Sequence, residues 1–238
     1  MTDIALPESL AQARERLSNA LKKAERPLDS ATLLAVSKTK PASMIRQAWQ
    51  YGQREFGENY LQEALEKQAE LADLDDIVWH FIGPLQSNKT RAVAESFAWV
   101  HSVDRLKIAK RLSEQRPEHL PPLNICLQVN ISHEASKSGV MPDEVMALAK
   151  EVAALPRLCL RGLMAIPAPA NSLAEQRAPL AALRQLLETL QAALPDAPLD
   201  TLSMGMSDDL EAAVLEGATL VRLGTAIFGA RTTQHATQ

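Results

Sequence analysis

Eight short apolar segments, separated by stretches with helical spacing or helical ends, set the strongest limit on what this chain can fold into. They run over 33–38 (LLAVSK), 54–59 (REFGEN), 77–83 (IVWHFIG), 98–103 (AWVHSV), 123–130 (LNICLQVN), 157–166 (RLCLRGLMAI), 199–205 (LDTLSMG) and 219–224 (TLVRLG). Mostly apolar runs, rather than strict alternation, mark strands buried on both faces, and such strands belong to parallel sheets covered by helices. The intervening helices announce themselves by period and by their ends. Leu6, Leu10, Ala13, Leu17 and Leu21 share one face of a helix over 6–21. A second lies between Pro41 and Gly52, with Ile45, Ala48 and Trp49 on one side. Prolines bracket a third over 142–156, and a fourth has Ser207 as N-cap, Asp208 and Asp209 in its first turn and Gly217 as its stop. Strand then helix, repeated through 238 residues, predicts an α/β fold: a single (β/α)8 barrel domain spanning 1–238, with an extra helix at its N-terminus. A doubly wound open sheet is the alternative, disfavoured because no GxGxxG follows the first strand. The proline-rich 165–172 (AIPAPANS) reads as a loop after the sixth strand.

Composition narrows the partners. A formal net charge of −4 disfavours nucleic acid or an anionic membrane and leaves small molecules as the better expectation. The opening MTDIALPESL lacks a basic region followed by an apolar one, and no apolar run reaches the roughly 20 residues that span a bilayer, so a cytoplasmic protein is expected. Cys126 and Cys159 sit far apart in apolar runs without metal-type spacing, which predicts reduced thiols and neither disulfide nor zinc. Nothing in the pattern adds an apolar stripe beyond the helices' core faces, which favours a monomer.

In barrels of this kind chemistry gathers at the carboxyl ends of the strands, often with a phosphate near the last two. The first strand ends on Lys38, the second on Asn59, the seventh near Ser203 and Gly205, and the eighth on Arg222, Gly224 and Thr225. Closure sets the eighth strand beside the first, so Lys38 and RLGT become neighbours. RLGTAIFG offers an arginine, a glycine that admits close backbone approach, a hydroxyl and a helix start, half of a phosphate cradle, to which Ser203 adds a hydroxyl. A lysine amine at the same mouth is either a charge partner for the phosphate or a nucleophile for an aldehyde. A phosphate and an aldehyde on one molecule describe pyridoxal 5'-phosphate. Taken singly, each residue also has an ordinary explanation: a solvated strand-end lysine, a glycine that relieves crowding, a serine bonded in a turn, an arginine paired with Asp208 or Asp209.

The stretches AVSKTKP, FGENYLQE, WHFIGPLQSNK, VNISHEASKSG, GLMAIP and SMGMSDDLEAAVLEGATLVRLGTAIFGAR resemble the YggS/PROSC family of pyridoxal phosphate homeostasis proteins, from about residue 33 to residue 231. The resemblance implies a barrel similar to the alanine racemase N-terminal domain, with Lys38 forming a Schiff base to pyridoxal 5'-phosphate. It further implies that Ser203, Gly224 and Thr225 hold the phosphate, that Arg222 lies against the pyridine nitrogen, and that Asn59 lies near the ring face or phenolic oxygen. The role it implies is intracellular cofactor homeostasis, with apo-enzymes as possible recipients and no established turnover. A small racemase-like enzyme is the alternative, and a phosphate-binding barrel without aldehyde chemistry a third reading. An arginine at the ring nitrogen makes the ring a poorer electron sink than a carboxylate would, which favours the binder.

Other residues near these motifs have bland readings beside functional ones. Tyr60 reads as packing at a helix start and His80 as a satisfied interior histidine; Lys89 and Lys137 read as loop lysines, and Pro41 argues that Lys40 leaves the strand face.

Overall fold

β1 (Thr32–Val36) lies in parallel register with β8 (Leu220–Leu223), Leu34 opposite Arg222 and Ala35 opposite Leu223. That contact closes a sheet whose order is β1 through β8, a (β/α)8 barrel in a computed structural model that describes residues 5–134 and 138–230. Between these strands come β2 (Glu55–Glu58), β3 (Val78–Phe81), β4 (Trp99–Val103), β5 (Leu123–Gln128), β6 (Leu158–Met164) and β7 (Thr201–Ser203). The register shifts within the β4–β5 and β5–β6 pairs.

The outer ring follows the apolar stripes of the sequence. α1 (Leu6–Lys23) precedes the barrel and buries Leu6, Leu10, Ala13, Leu17, Ala20 and Leu21. Each fully buried leucine contributes about 2 kcal/mol by its apolar area. Arg16 fixes the helix's position by a two-pronged bond to Glu211, 2.8 Å on each oxygen, on α8 (Leu210–Leu215). The remaining helices are α2 (Ala42–Gln50), α3 (Leu61–Glu70), α4 (Thr90–Ser96), α5 (Leu106–Gln115), α6 (Val145–Ala153), α7 (Leu173–Ala193) and α9 (Thr225–Phe228). Ser172 caps α7 by accepting from the Glu175 amide at 3.1 Å. Among the described residues no helix is long and apolar enough to cross a membrane, and no group of His, Cys, Asp and Glu could hold a metal ion.

Two of the boundaries that differ from the sequence reading bear on the site. The first strand stops at Val36, so Lys38 stands in a turn rather than on the strand. The helix assigned to Ser207 begins instead at Leu210: residues 207–209 form a turn, and the Asp209 carboxylate accepts from the Met206 amide at 2.8 Å. A short acidic side chain that bonds backward to its own loop favours a turn over a further helical residue.

Inside the barrel, Trp99, Cys126, Met164 and Leu220 form a small apolar cluster. Beside it the interior is polar, with His80, His101, Ser203 and Arg222 all buried. Branched aliphatics ordinarily fill this space, so a polar layer marks the place where the barrel does something other than pack.

Candidate functional site at the carboxyl ends of β1, β2 and β8

Past Val36 the chain turns at once. The Lys40 amide donates to the Ser37 carbonyl at 3.1 Å, and Thr39 holds φ at 68°. A β-branched residue adopts this left-handed backbone only at a cost of about 1–3 kcal/mol, so the surroundings must impose the turn. They do so from beneath. Glu58, the last residue of β2, is fully buried and accepts from Lys67 Nζ at 2.7 Å and from Ser37 Oγ at 3.1 Å. Lys67, on α3, also donates to the Ser37 carbonyl at 2.8 Å and meets Glu63 at 3.1 Å. Burial pushes the Glu58 carboxyl up, while the Lys67 ammonium and the Ser37 hydroxyl pull it back. The half-buried Lys38 therefore rides on a turn clamped by a buried ion pair, and its ammonium makes no ion pair with a described residue.

The opposite wall is the end of β8. A Cβ on Gly224 would stand 3.3 Å from the Val36 carbonyl oxygen and 3.4 Å from the Val36 Cβ, so the glycine lets β8 lie against β1 without crowding. Thr225 follows, exposed at the rim, as the first residue of α9. Its amide is among those that a helix start leaves without an intrahelical partner.

Below the rim lies Arg222. Its Nη2 is 3.3 Å from Ser203 Oγ and 3.2 Å from His101 Nδ1, and Ser203 Oγ is 2.7 Å from the same imidazole nitrogen. Burial pushes the guanidinium down to about 10, which leaves it charged at neutral pH. Among the described residues its Nε has no hydrogen-bond partner, and neither has Asn59 Oδ1 just past the end of β2. Buried polar atoms without partners are uncommon in folded proteins, and here a donor and an acceptor lie at the ends of β8 and β2, on either side of β1. They leave polar groups on which a bound molecule could form hydrogen bonds.

Of the residues singled out in the sequence, Lys38, Asn59, Arg222, Gly224 and Thr225 thus stand at the ends of three adjoining strands. Arg222 bonds inward and does not pair with Asp208 or Asp209. Ser203 joins Arg222, but its hydroxyl is bonded to His101, because the side chains of Ser203, His101 and Arg222 all enter the same interior space. Lys40 is buried and spends its ammonium on the Ala230 carbonyl at 2.8 Å. His80 is an interior histidine with partners at both ring nitrogens. Lys89 is exposed, Tyr60 is half-exposed just before α3, and Lys137 lies outside the described residues.

The sequence reading did not find His101, Glu55, Glu58 or Lys67. One signal was present: WVHSV carries a histidine two residues after a tryptophan, on the same strand face, as VWHF carries His80 two residues after Val78.

Comparison with known proteins agrees with this architecture. Residues 9–232 match the family model described as the alanine racemase N-terminal domain. The chain is 63% identical over 226 residues to the pyridoxal phosphate homeostasis protein of Pseudomonas aeruginosa, covering 95% of this chain and 96% of that one. It is 54% identical over 233 residues to the protein of the same name from Escherichia coli, covering 97% and 98%. Among solved structures, PipY of Synechococcus elongatus with pyridoxal phosphate bound superposes with a TM-score of 0.83 at 41% identity, covering 94% of this chain and all of that one. Alanine racemase from Corynebacterium glutamicum, at 19% identity and a TM-score of 0.64, shares the fold over 62% of its length. The chain belongs to the family of pyridoxal phosphate homeostasis proteins, built on the alanine racemase N-terminal fold.

Proposed function

We propose that this chain binds pyridoxal 5'-phosphate at the carboxyl ends of β1, β2 and β8 and serves its homeostasis without turning over a substrate of its own. The observation that carries the reading is Arg222, a charged guanidinium with an unpartnered buried Nε and no carboxylate in contact, in the strand next to the one that leads to Lys38. An arginine donates and cannot accept, so it suits an unprotonated ring nitrogen. Lys38 supplies the amine for the cofactor's aldehyde, held up by the Ser37–Glu58–Lys67 clamp. The Gly224 and Thr225 amides hold the phosphate at the start of α9. Ser203 reaches the phosphate only by exchanging its bond to His101; where it stands, it supports Arg222. Asn59 lies toward the ring face or the phenolic oxygen, to which its side-chain NH2 can donate.

When bound, the cofactor supplies an aldehyde and an electron-withdrawing ring. Arg222 weakens the second property by keeping the ring nitrogen free of a proton, which disfavours carbanion chemistry and supports storage or delivery, with apo-enzymes as recipients.

The test is the near-visible spectrum of the protein with pyridoxal 5'-phosphate, followed by borohydride and a peptide map. A yellow band fixed by reduction onto Lys38, and lost in Lys38→Ala, is expected. A reducible adduct that persists unchanged in Lys38→Ala rejects the anchor. Sustained formation of a D-amino acid from a single L-amino acid rejects the binder in favour of a racemase-like enzyme.

A further inference from the structure

The Arg222 guanidinium is buried without a carboxylate beside it, and the route by which its charge is balanced runs through the barrel. His101 Nε2 lies 2.9 Å from His80 Nδ1, and His80 Nε2 lies 3.4 Å from Oε1 of Glu55. Glu55 is the first residue of β2 and its side chain is 25% exposed, at the end of the barrel opposite Lys38. Glu55, His80, His101 and Arg222 thus make a continuous line from one face of the barrel to the other.

The two ends fix where every proton sits. Arg222 can only donate, so the single lone pair of His101 Nδ1 accepts, from the Ser203 hydroxyl at 2.7 Å with Nη2 sharing it at 3.2 Å, while Nη2 also donates to Ser203 Oγ. His101 must then carry its proton on Nε2 and donate to His80 Nδ1. His80 carries its own on Nε2 and donates to Glu55, which as a carboxylate can only accept. The reverse order would put an N–H of His101 against a guanidinium N–H and would need a proton on Glu55. Burial and the nearby guanidinium both disfavour a charge on His101, and burial disfavours one on His80, so each ring stays a neutral relay. Trp99 keeps the line straight: its ring stacks on His80 at 5.3 Å with 17° between the planes, and Arg161 covers Trp99 at 4.6 Å.

We propose that Glu55, His80 and His101 are positioning residues for the cofactor site, a one-way hydrogen-bond chain that holds Arg222 by Nη2 and so leaves Nε–H for the ring nitrogen. The chain also gives the buried guanidinium a distant counter-charge without placing a carboxylate where it could protonate or attract the ring. This rests on the assignment of Arg222 to the ring nitrogen.

The experiment uses the full chain and two readouts. First, nitrogen-15 spectra of the imidazoles in the cofactor-free protein at neutral pH are expected to show His80 and His101 both as neutral Nε2–H tautomers. An Nδ1–H tautomer or a protonated ring at either position overturns the chain, whatever the cofactor does. Second, Glu55→Met removes the accepting end at a partly exposed position far from Lys38, and it is expected to mix the tautomers and weaken pyridoxal 5'-phosphate binding about 5- to 10-fold, the order expected for the net contribution of one ordinary hydrogen bond. Glu55→Gln, which keeps an acceptor, is expected to restore most of the affinity, a rescue that a loss of fold would not show. Arg222→Lys separates the two levels. If it leaves affinity unchanged, the assignment of Arg222 falls; if it weakens binding while Glu55→Met changes neither tautomers nor affinity, the chain is overturned.

Discussion

Replacing Lys67 with methionine should destabilise the protein by about 3–5 kcal/mol, because it strands a buried carboxylate rather than because it removes an attraction. Glu58 has no water to turn to: its side chain has 0% accessibility against 7% for Lys67, one of its oxygens already lacks a partner, and the ammonium is bonded at 2.7 Å to the other. Methionine keeps most of the aliphatic stem, so packing changes little. For a chain of this size the loss corresponds to a fall in Tm of roughly 6–20 °C. Adding Glu58→Gln removes the stranded charge and keeps an acceptor for the Ser37 hydroxyl, so the double variant should recover most of the stability. The pH dependence has a definite sign. Burial raises the folded pKa of Glu58 above its ordinary 4.5, and without Lys67 the rise is larger. A raised carboxyl pKa means stability that is full below the unfolded value and lost as pH climbs through the folded one. The deficit of Lys67→Met relative to the natural chain should therefore shrink between about pH 8 and about pH 5. Urea unfolding of the four members of the cycle measures it. A deficit under about 1 kcal/mol, or one that grows on acidification, or a double variant as weak as the sum of the singles, would refute the reasoning.

Other outcomes follow from single features. Gly162→Ala should prevent normal folding, since its Cβ would fall 1.7 Å from the Thr201 carbonyl oxygen where β6 and β7 pair; soluble protein with an unchanged urea midpoint would contradict the contact. Burial pushes the Cys126 thiol up to about 12, so at about pH 8 a thiol reagent should modify the partly exposed Cys159 first and reach Cys126 only on unfolding, as a peptide map would show. The folded pKa values of His80 and His101 lie below their ordinary 6.5, so the stability they contribute is present above that pH and lost as pH falls below it. Unfolding midpoints that stay flat from about pH 7 to about pH 5 would show that these rings are not buried neutral.

The number and order of the strands, and their alternation with helices, were legible in the chain because they depend on local facts: apolar runs of strand length, stripes at helical period, and glycine or proline at the ends. The placement of Lys38, Asn59, Gly224 and Thr225 at one mouth of the barrel was legible for a related reason, since it follows from where parallel strands end. What the sequence could not supply was which inward side chains meet. Ser203 has the chemistry of a phosphate ligand, yet register and closure bring it within 2.7 Å of a histidine 102 residues away. Glu58 and Lys67 look like surface charges nine positions apart until α3 folds back over the turn after β1 and encloses both. The line from Glu55 to Arg222 draws on β2, β3, β4 and β8 at once. Periodicity tells a side chain which face to take; only closure of the barrel decides what it finds there.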